Sequence, residues 1–387
     1  MILRPGPTSH PGITPAMSLV LPSMAARIIL FGATGYTGEL TARAMVKAGS
    51  TPILAARSPE RVQALADELG GLTTVVADVT DPSSVRSLVE KGDVIVTTVG
   101  PFARLGEPAF QAALDAGAHY VDSTGEPSWI RRVFEADAEA KNAGIAALTA
   151  FGYDYVPGNL AAGLALEQAG ADAVTVNVGY FFQGGFGASG GTLASLAGAM
   201  LTPGFEYRDG SIRTVRGAKA EHSFATQGGP RVGLSIGSSE HFAIPQIAAS
   251  VTDVNAYLGW FGPRTAPARY GAAAVAGITK IPGAKALLGA GLKRALPGST
   301  GGPSKAERAK SQSVAVAEAL AADGSQLSFV ELNGPNGYDL TAEFLAFAGR
   351  TLATVGPADT GSLGPVKAFG LDALAAGCAA AGLKPIS

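Results

Sequence analysis

The chain has 387 residues, long enough for two domains with a sizeable core. Charged residues are only 16% of it and the formal net charge is −2, which gives no electrostatic footing for nucleic acid. The 47% hydrophobic content never gathers into the roughly 18–20 uninterrupted apolar residues of a membrane span, and the single cysteine, Cys378, excludes an intrachain disulfide or a cysteine-cluster metal site. A cytoplasmic protein is the expectation.

Residues 1–24, MILRPGPTSHPGITPAMSLVLPSM, carry five prolines and no periodicity, and are expected to form a disordered tail. The run MSLVLPSMAA resembles a signal peptide in being short, apolar and ended by small residues. Against that, the basic residue Arg4 is distant, Pro22 interrupts the run, and cleavage would fall just before the first strand. An overlong start, with Met17 or Met24 as the true one, fits better.

From Arg27 the pattern is regular: RIILFG, TPILAAR, LTTVVADV, DVIVTTVGPF, AHYVDSTGE and IAALTAFG are six near-continuous apolar strands, with helical sequence between them. Two of those helices announce their starts with a cap followed by proline, Ser58-Pro59 and Asp81-Pro82. Strands of this kind suit a parallel sheet covered on both faces, so residues 25–157 are expected to form an α/β doubly wound, Rossmann-type domain. Beyond it the pattern changes. ADAVTVNVGYFF reads as a strand, SGGTLASLAGAM as a helix, and FEYRDGSIRTVRG as a hairpin turning at Asp209-Gly210. RVGLSIGSSEHFAI and LSFVELNGPNGY read as further strands. Residues 158–387 are therefore expected to form an α+β substrate domain, with the segment from about 338 returning to the first domain. The stretch from 270 to 296, broken by Lys280, Pro282, Lys285, Lys293 and Arg294, reads as helices that pack on a core or touch a membrane surface.

The first strand leaves through GATGYTG, where Gly32, Gly35 and Gly38 are spaced three apart and a helix follows. Such a turn lets backbone N–H groups of Thr34, Tyr36 and Thr37 approach a pyrophosphate at a helix N-terminus, and its place between strand and helix lifts it above a lone glycine pattern. An NAD-type site places an acid at the end of the second strand, about 20 residues on. None stands there: Arg57 and Ser58 occupy the turn, a pattern that favours NADP because a guanidinium can take a 2′-phosphate. Arg61, one helical turn on, is placed to help. Asp78, closing the third strand, either borders the adenine or is a turn residue. Val99, Gly100, Pro101 and Phe102 end the fourth strand and Asp122 to Glu126 the fifth, so both should rim the nicotinamide.

The motifs GATGYTG, AAR, VGPF, YVDSTGE and FGYDYVPGNL follow one another as in the saccharopine dehydrogenase-like oxidoreductases, and within that group the chain most resembles the trans-acting enoyl reductase branch. GGFGASGGTLAS and LGPVKAFGLDAL resemble segments of that branch as well. The resemblance implies a bound NAD(P) cofactor and a hydride-transfer reaction, and leaves the substrate open.

For the proton that follows hydride transfer, FGYDYVPGN crowds Tyr153, Asp154 and Tyr155 where the two domains should meet; a junction tyrosine and a turn aspartate are the plain alternative. His241, beside Glu240, is a further candidate, or one half of a surface pair on a strand. Ser189, Gly190 and Thr192 open a helix whose N–H groups either hold a thioester oxygen or phosphate of the substrate or are merely capped. None of the nine tyrosines has lysine four positions on, which excludes the Tyr-x-x-x-Lys relay, and the four histidines show no metal spacing. The expected function is NADPH-dependent reduction of an activated double bond in a small-molecule or carrier-bound acyl substrate. A saccharopine dehydrogenase-like imine or amino-acid oxidoreductase is the alternative enzyme. A non-catalytic, membrane-associated dinucleotide-binding adaptor acting through 270–296 is the alternative of another class.

Overall fold

The structure is a computed structural model, and it describes residues 26–184, 203–260 and 301–386, with positions 265 and 277. The six apolar runs of the first half are all strands: β1 (Ile28–Phe31), β2 (Ile53–Ala56), β3 (Thr74–Val76), β4 (Val94–Thr97), β5 (His119–Asp122) and β6 (Ala146–Leu148). They lie in the order β6-β5-β4-β1-β2-β3, every neighbour parallel. A seventh parallel strand from the far end of the chain, Gly361–Ser362 (β15), closes the sheet beside β6. Along each strand alternate residues enter different cores. Ile29, Phe31, Ile95 and Tyr120 join one face's cluster, while Leu30, Leu54, Val96 and Val121 join the other's. Both faces are covered, which is why the strands read as unbroken apolar runs. Helix starts follow the local chemistry: the Ser58 hydroxyl accepts from Arg61 N, and the Asp81 carboxylate accepts from Ser83 N and Ser84 N.

The second half builds a mixed sheet from β7 (Thr175–Gln183), β8 (Gly204–Arg208), β9 (Ser211–Val215), β10 (Glu221–Thr226), β11 (Gly229–Ile236), β12 (Asp253–Leu258), β13 (Gln312–Leu320), β14 (Gln326–Gly334) and β16 (Lys384–Pro385). Its main path is β10-β11-β12-β7-β13-β14-β16, with β8 and β9 branching off β12. The hairpin expected at Asp209-Gly210 joins β8 to β9, and both turn residues have positive φ, 51° and 71°, as a tight hairpin turn requires. Strand β11 stops at Ile236, however, and Ser239 precedes a short helix, Glu240–Ala243, where an extended run was expected. Strands β10, β12 and β13 carry no clear sequence signal. In β13, Ala315, Ala317 and Ala319 face the buried helix Val156–Ala169, which needs small residues to approach the sheet closely.

One continuous core runs through both sheets, from Leu30 and Val96 through Leu160 and Ala161 to Val178 and Ala317. The helix Gly337–Thr354 packs against the helix Tyr36–Lys47 and against β4, so late residues help build the first sheet's environment. Among the described residues no helix is long and apolar enough to cross a membrane. The segment 270–296, apart from Gly277, and Ser189, Gly190 and Thr192 lie outside the described residues.

Gly38 shows how tightly the first helix meets its strand. A Cβ there would overlap the Gly32 carbonyl oxygen and lie 2.9 Å from Ala33 Cα, both backbone atoms that cannot swing aside. Alanine gains about 1 kcal/mol over glycine in an open helix, yet Gly38→Ala is expected to destabilise the protein, by about 2 kcal/mol or more, because overpacking against backbone outweighs propensity. Urea titration of the two proteins measures the difference; a more stable variant would mean that the helix can shift away.

Candidate active site

A cleft of about 430 Å³ opens at the carboxyl ends of the parallel strands, where a doubly wound sheet places its ligand. The glycine-rich loop after β1 forms one end of it, with Gly32, Thr34, Gly35, Tyr36, Thr37 and Gly38 all lining the wall. Gly32 has φ +88°, and a Cβ on it would press on Thr98 and Val99. Gly35 differs from the other two glycines. Its backbone is ordinary extended chain (φ −82°, ψ 165°), and a Cβ on it would meet only the Gly32 carbonyl oxygen, at 3.3 Å. Neither backbone conformation nor close packing forces glycine there, so the space a side chain would take belongs to the cleft. The following helix begins with no side-chain cap, leaving its N-terminal dipole directed at that space. These features fit a pyrophosphate.

The Tyr36 side chain has a second task. Its hydroxyl bonds the Pro303 carbonyl and accepts from Arg308 Nη1 at 2.9 Å, and its ring meets Tyr338 edge-on. Arg308 in turn is held by Asp339 at 2.8 Å. The loop is thus clamped from the C-terminal part of the chain.

At the end of β2, Arg57 is exposed on the cleft wall, close enough to Asp78 to help lower that carboxyl's pKa; the larger cause is hydrogen bonding from Thr80. Arg61 reaches back to donate to the Thr34 carbonyl at 2.7 Å. The residues of this turn that line the cleft are Arg57, Ser58 and Arg61, with no acid among them, so the turn is open to a 2′-phosphate. Asp78 makes the turn expected of it, with Thr80, and lines the cleft as well, so the turn role does not take it away from the wall.

The strand ends of β4 and β5 meet in the middle of the cleft. Val99, Gly100 and Phe102 line it, and Pro101 sits between them as the cap residue of the short helix Phe102–Leu105. After β5 it is Ser123, Thr124 and Gly125 that face the cleft. The two acids of DSTGE, expected at the rim, turn inward. Glu126 accepts from Phe102 N (2.7 Å) and Ala103 N (3.1 Å), tying one strand end to the other. Asp122 is fully buried and receives Thr124 N, Ala150 N, Tyr120 Oη, Trp129 Nε1 and Thr149 Oγ1 at 2.8–3.1 Å.

Of Tyr153, Asp154 and His241, the structure places Asp154 in the cleft. Its Oδ1 is buried without a hydrogen-bond partner among the described residues. Burial, with the charge of Glu240 adding, pushes this carboxyl up to about 8. Tyr153 points the other way: its hydroxyl donates to the Phe181 carbonyl at 2.9 Å and its ring packs against Tyr180 and Phe182. It is the junction tyrosine. His241 is also outside the cleft, because Ser239 starts a helix that buries it. Its Nδ1 lies 3.1 Å from the Ser238 carbonyl, and burial lowers it to about 4, leaving it neutral and a poor acid at neutral pH.

Two further residues join Asp154: Tyr155, named with it in the FGYDYVPGN run, and Glu240, which the sequence marks only as the residue before His241. Tyr155 lines the cleft beside Asp154, its phenol held well above its usual value by burial. Glu240 is fully buried, bonded to Tyr180 Oη, and pushed up to about 7 by burial. Tyr180 Oη also lies 3.1 Å from the Tyr155 carbonyl, so Glu240 and the Asp154–Tyr155 turn belong to one network. The opposite wall is apolar: Ile236, Leu258 and Trp260 from the second sheet. Only the folding of β11 and β12 against the strand ends brings them there.

These features define a dinucleotide-binding fold whose cleft is completed by a second sheet. Residues 28–148 match the family model described as the saccharopine dehydrogenase NADP binding domain, so this segment is an NADP-binding domain of the saccharopine dehydrogenase type. Over nearly its whole length the chain has a saccharopine dehydrogenase-like fold. It matches the saccharopine dehydrogenase (L-Glu forming) of Saccharomyces cerevisiae with a TM-score of 0.57 at 13% identity, covering 94% of this chain and 100% of that one. A Mycobacterium tuberculosis protein provisionally named a trans-acting enoyl reductase is 36% identical over 187 residues, 45% of this chain and 44% of the relative. The trans-acting enoyl reductase of Mycobacterium ulcerans is 36% identical over 140 residues, 34% of each chain. The matches thus span less than half the length of these curated relatives.

If Arg57 takes the 2′-phosphate, Arg57→Ala should weaken NADPH binding by about 2–3 kcal/mol, the scale of a charge-assisted pair left open, or on the order of 30- to 150-fold. NADH, which lacks that phosphate, should bind almost as before. Fluorescence titration with both cofactors provides an internal control, since damage to the fold would lower both affinities. Equal losses would return Arg57 to a surface role.

Proposed function

We propose that the chain is an NADPH-dependent oxidoreductase that reduces an activated double bond in an acyl substrate, with Asp154 as the proton donor. The observation that carries this reading is the Asp154 carboxyl. It lines the nucleotide cleft, is held protonated near neutral pH, and has an oxygen with no hydrogen-bond partner among the described residues. When bound, NADPH supplies a hydride. What the chain must add is a proton for the substrate carbon beside the carbonyl, and a carboxyl tuned to about 8 by burial is a competent acid for it. Tyr155, with a phenol that stays neutral, flanks that carboxyl.

The wall of Ile236, Leu258 and Trp260 supports an apolar chain as substrate. It offers no cation, whereas a dicarboxylic amino-acid adduct calls for convergent guanidinium or ammonium groups. The names of the mycobacterial relatives point the same way. A panel of enoyl thioesters, against keto acids with amines, each with NADPH, tests the reading by product analysis. Turnover of the second set alone would replace it with imine reduction. Tight NADPH binding without turnover of either set would favour a binding protein.

Asp154→Asn keeps the size of the side chain and removes its acid. It should lower kcat by about 10²- to 10⁴-fold with little change in NADPH affinity. The wild-type rate should fall as pH rises past about 8, as Asp154 loses its proton, and this limb should vanish in the variant. A variant with wild-type kcat would move the proton donor elsewhere.

The same groups set a pH dependence of stability. Asp154 and Glu240 have native values near 8 and 7, raised from 3.8 and 4.5. The native state therefore holds more protons than the unfolded chain between about pH 4 and 8. The contribution is complete below that window and is lost as pH climbs through it. Thermal midpoints of the ligand-free protein should decline from pH 5 to 8, and less so in Asp154→Asn.

A further inference from the structure

A second cavity, of about 110 Å³, lies on the other side of Ile236, a residue that lines both it and the nucleotide cleft. Its origin is a fork in the second sheet. One edge of β12 pairs with β11 through Ala256, Tyr257 and Leu258, and with β8 at Val254. Asn255 falls between the two partners, and where β11 and β8 diverge a hole is left.

The charges around the hole do not balance. Glu206, Arg208, Arg216, Lys219, His241 and Asn255 line it. Arg208 is paired with Asp253 at 2.8 Å and also reaches Asn255, while Lys219 is paired with Glu206 at 3.1 Å. His241 is uncharged at neutral pH. Outside the cavity, the neighbouring Arg213 has Asp209 at 2.6 Å. Among the described residues Arg216 alone of these cations has no acid, and its Nη1 is buried with no acceptor. A guanidinium nitrogen removed from water without an acceptor costs stability, and a fold that keeps one beside a polar cavity has room for the missing partner to come from outside.

We infer that this cavity is a second ligand site that takes an oxyanion, a carboxylate or phosphate group, on the Arg216 guanidinium. The volume admits such a group and not a nucleotide, and the planar fork of arginine matches two oxygens at once. Lys219 and Arg208 line the same cavity, each already paired with its own acid. The site is independent of the nucleotide loop, and its occupant would lie against the same Ile236 that walls the cleft.

The test is calorimetric titration of the full chain with inorganic phosphate and, separately, with acetate, at constant ionic strength set with chloride. Each is run with and without saturating NADPH, which fills the phosphate positions of the cleft. One phosphate or acetate per chain should bind in the presence of NADPH, and Arg216→Gln should weaken it about tenfold or more. Arg216→Lys, which keeps the charge but not the fork, should retain part of the affinity. Because Arg216 holds no partner among the described residues, Arg216→Gln should not lower the thermal midpoint, whereas Arg208→Gln, which breaks an ion pair, should. The two anions separate the sources: acetate alone points to a carboxylate ligand, and phosphate to a phosphoryl one. Binding of neither anion, or binding that ignores both Arg216 variants, overturns the site. If the chain bound no NADPH, the cleft reading would fail, while an Arg216-dependent titration without nucleotide would still establish this one.

Discussion

The candidate site depends on one buried carboxylate, Asp122. It ends β5 where a charge has no access to water, and it is stabilised there by five donors from four places in the chain: Tyr120, Thr124, Trp129, and the Thr149–Ala150 pair after β6. Its own backbone carbonyl accepts Phe151 N at 2.7 Å. A buried carboxylate left with fewer donors would be costly, so each of these groups is held at a set place. The consequence is geometric. The Ser123–Gly125 turn and the Phe151–Tyr155 turn are locked to the same anchor, and these turns supply the middle of the cleft.

Asp154 shows the opposite environment four residues after Ala150, one of that anchor's donors. Burial raises both carboxyls, but at Asp122 the hydrogen bonds of Thr124, Ala150, Trp129 and Tyr120 oppose the rise, while at Asp154 no donor does and Glu240 adds to it. Two aspartates of one domain are therefore assigned different work by their surroundings, one to hold structure and one to hold a proton. Glu240 belongs to this arrangement through Tyr180, whose hydroxyl also accepts Gly158 N at 3.1 Å. That contact requires glycine, since a Cβ at 158 would run into the Tyr180 ring.

The two sheets do not behave as separate bodies with a hinge of loose contacts. The helix Val156–Ala169 is buried on most sides, and residues from both sheets pack into one apolar cluster around it. The chain crosses between the sheets repeatedly: β15 returns to the parallel sheet and β16 ends on the mixed one. Arg308 and Tyr338 then brace Tyr36 at the glycine loop. Phosphate loop, strand ends and apolar wall are thus parts of one framework, as a site that aligns a cofactor with a substrate needs.

The first sheet was legible in the amino-acid sequence because its signals are local. Unbroken apolar runs, cap-then-proline helix starts and glycines at Gly32, Gly35 and Gly38 each report a constraint that acts within a few residues, as does the missing acid after β2. The same holds for the Asp209-Gly210 turn. Tertiary structure alone decided the rest. The alanine-rich β13 is a strand because β7 and β14 pair with both its edges, and no propensity of its own says so. Nothing in the run Tyr153-Asp154-Tyr155 distinguishes the residue that faces the cleft from the one that faces the Phe181 carbonyl. His241 was a proton-donor candidate by residue type, and burial in a short helix leaves it neutral and outside the cleft. Charge, exposure and partner at such positions are set by elements distant in the chain, so they exist only once the fold has brought those elements together.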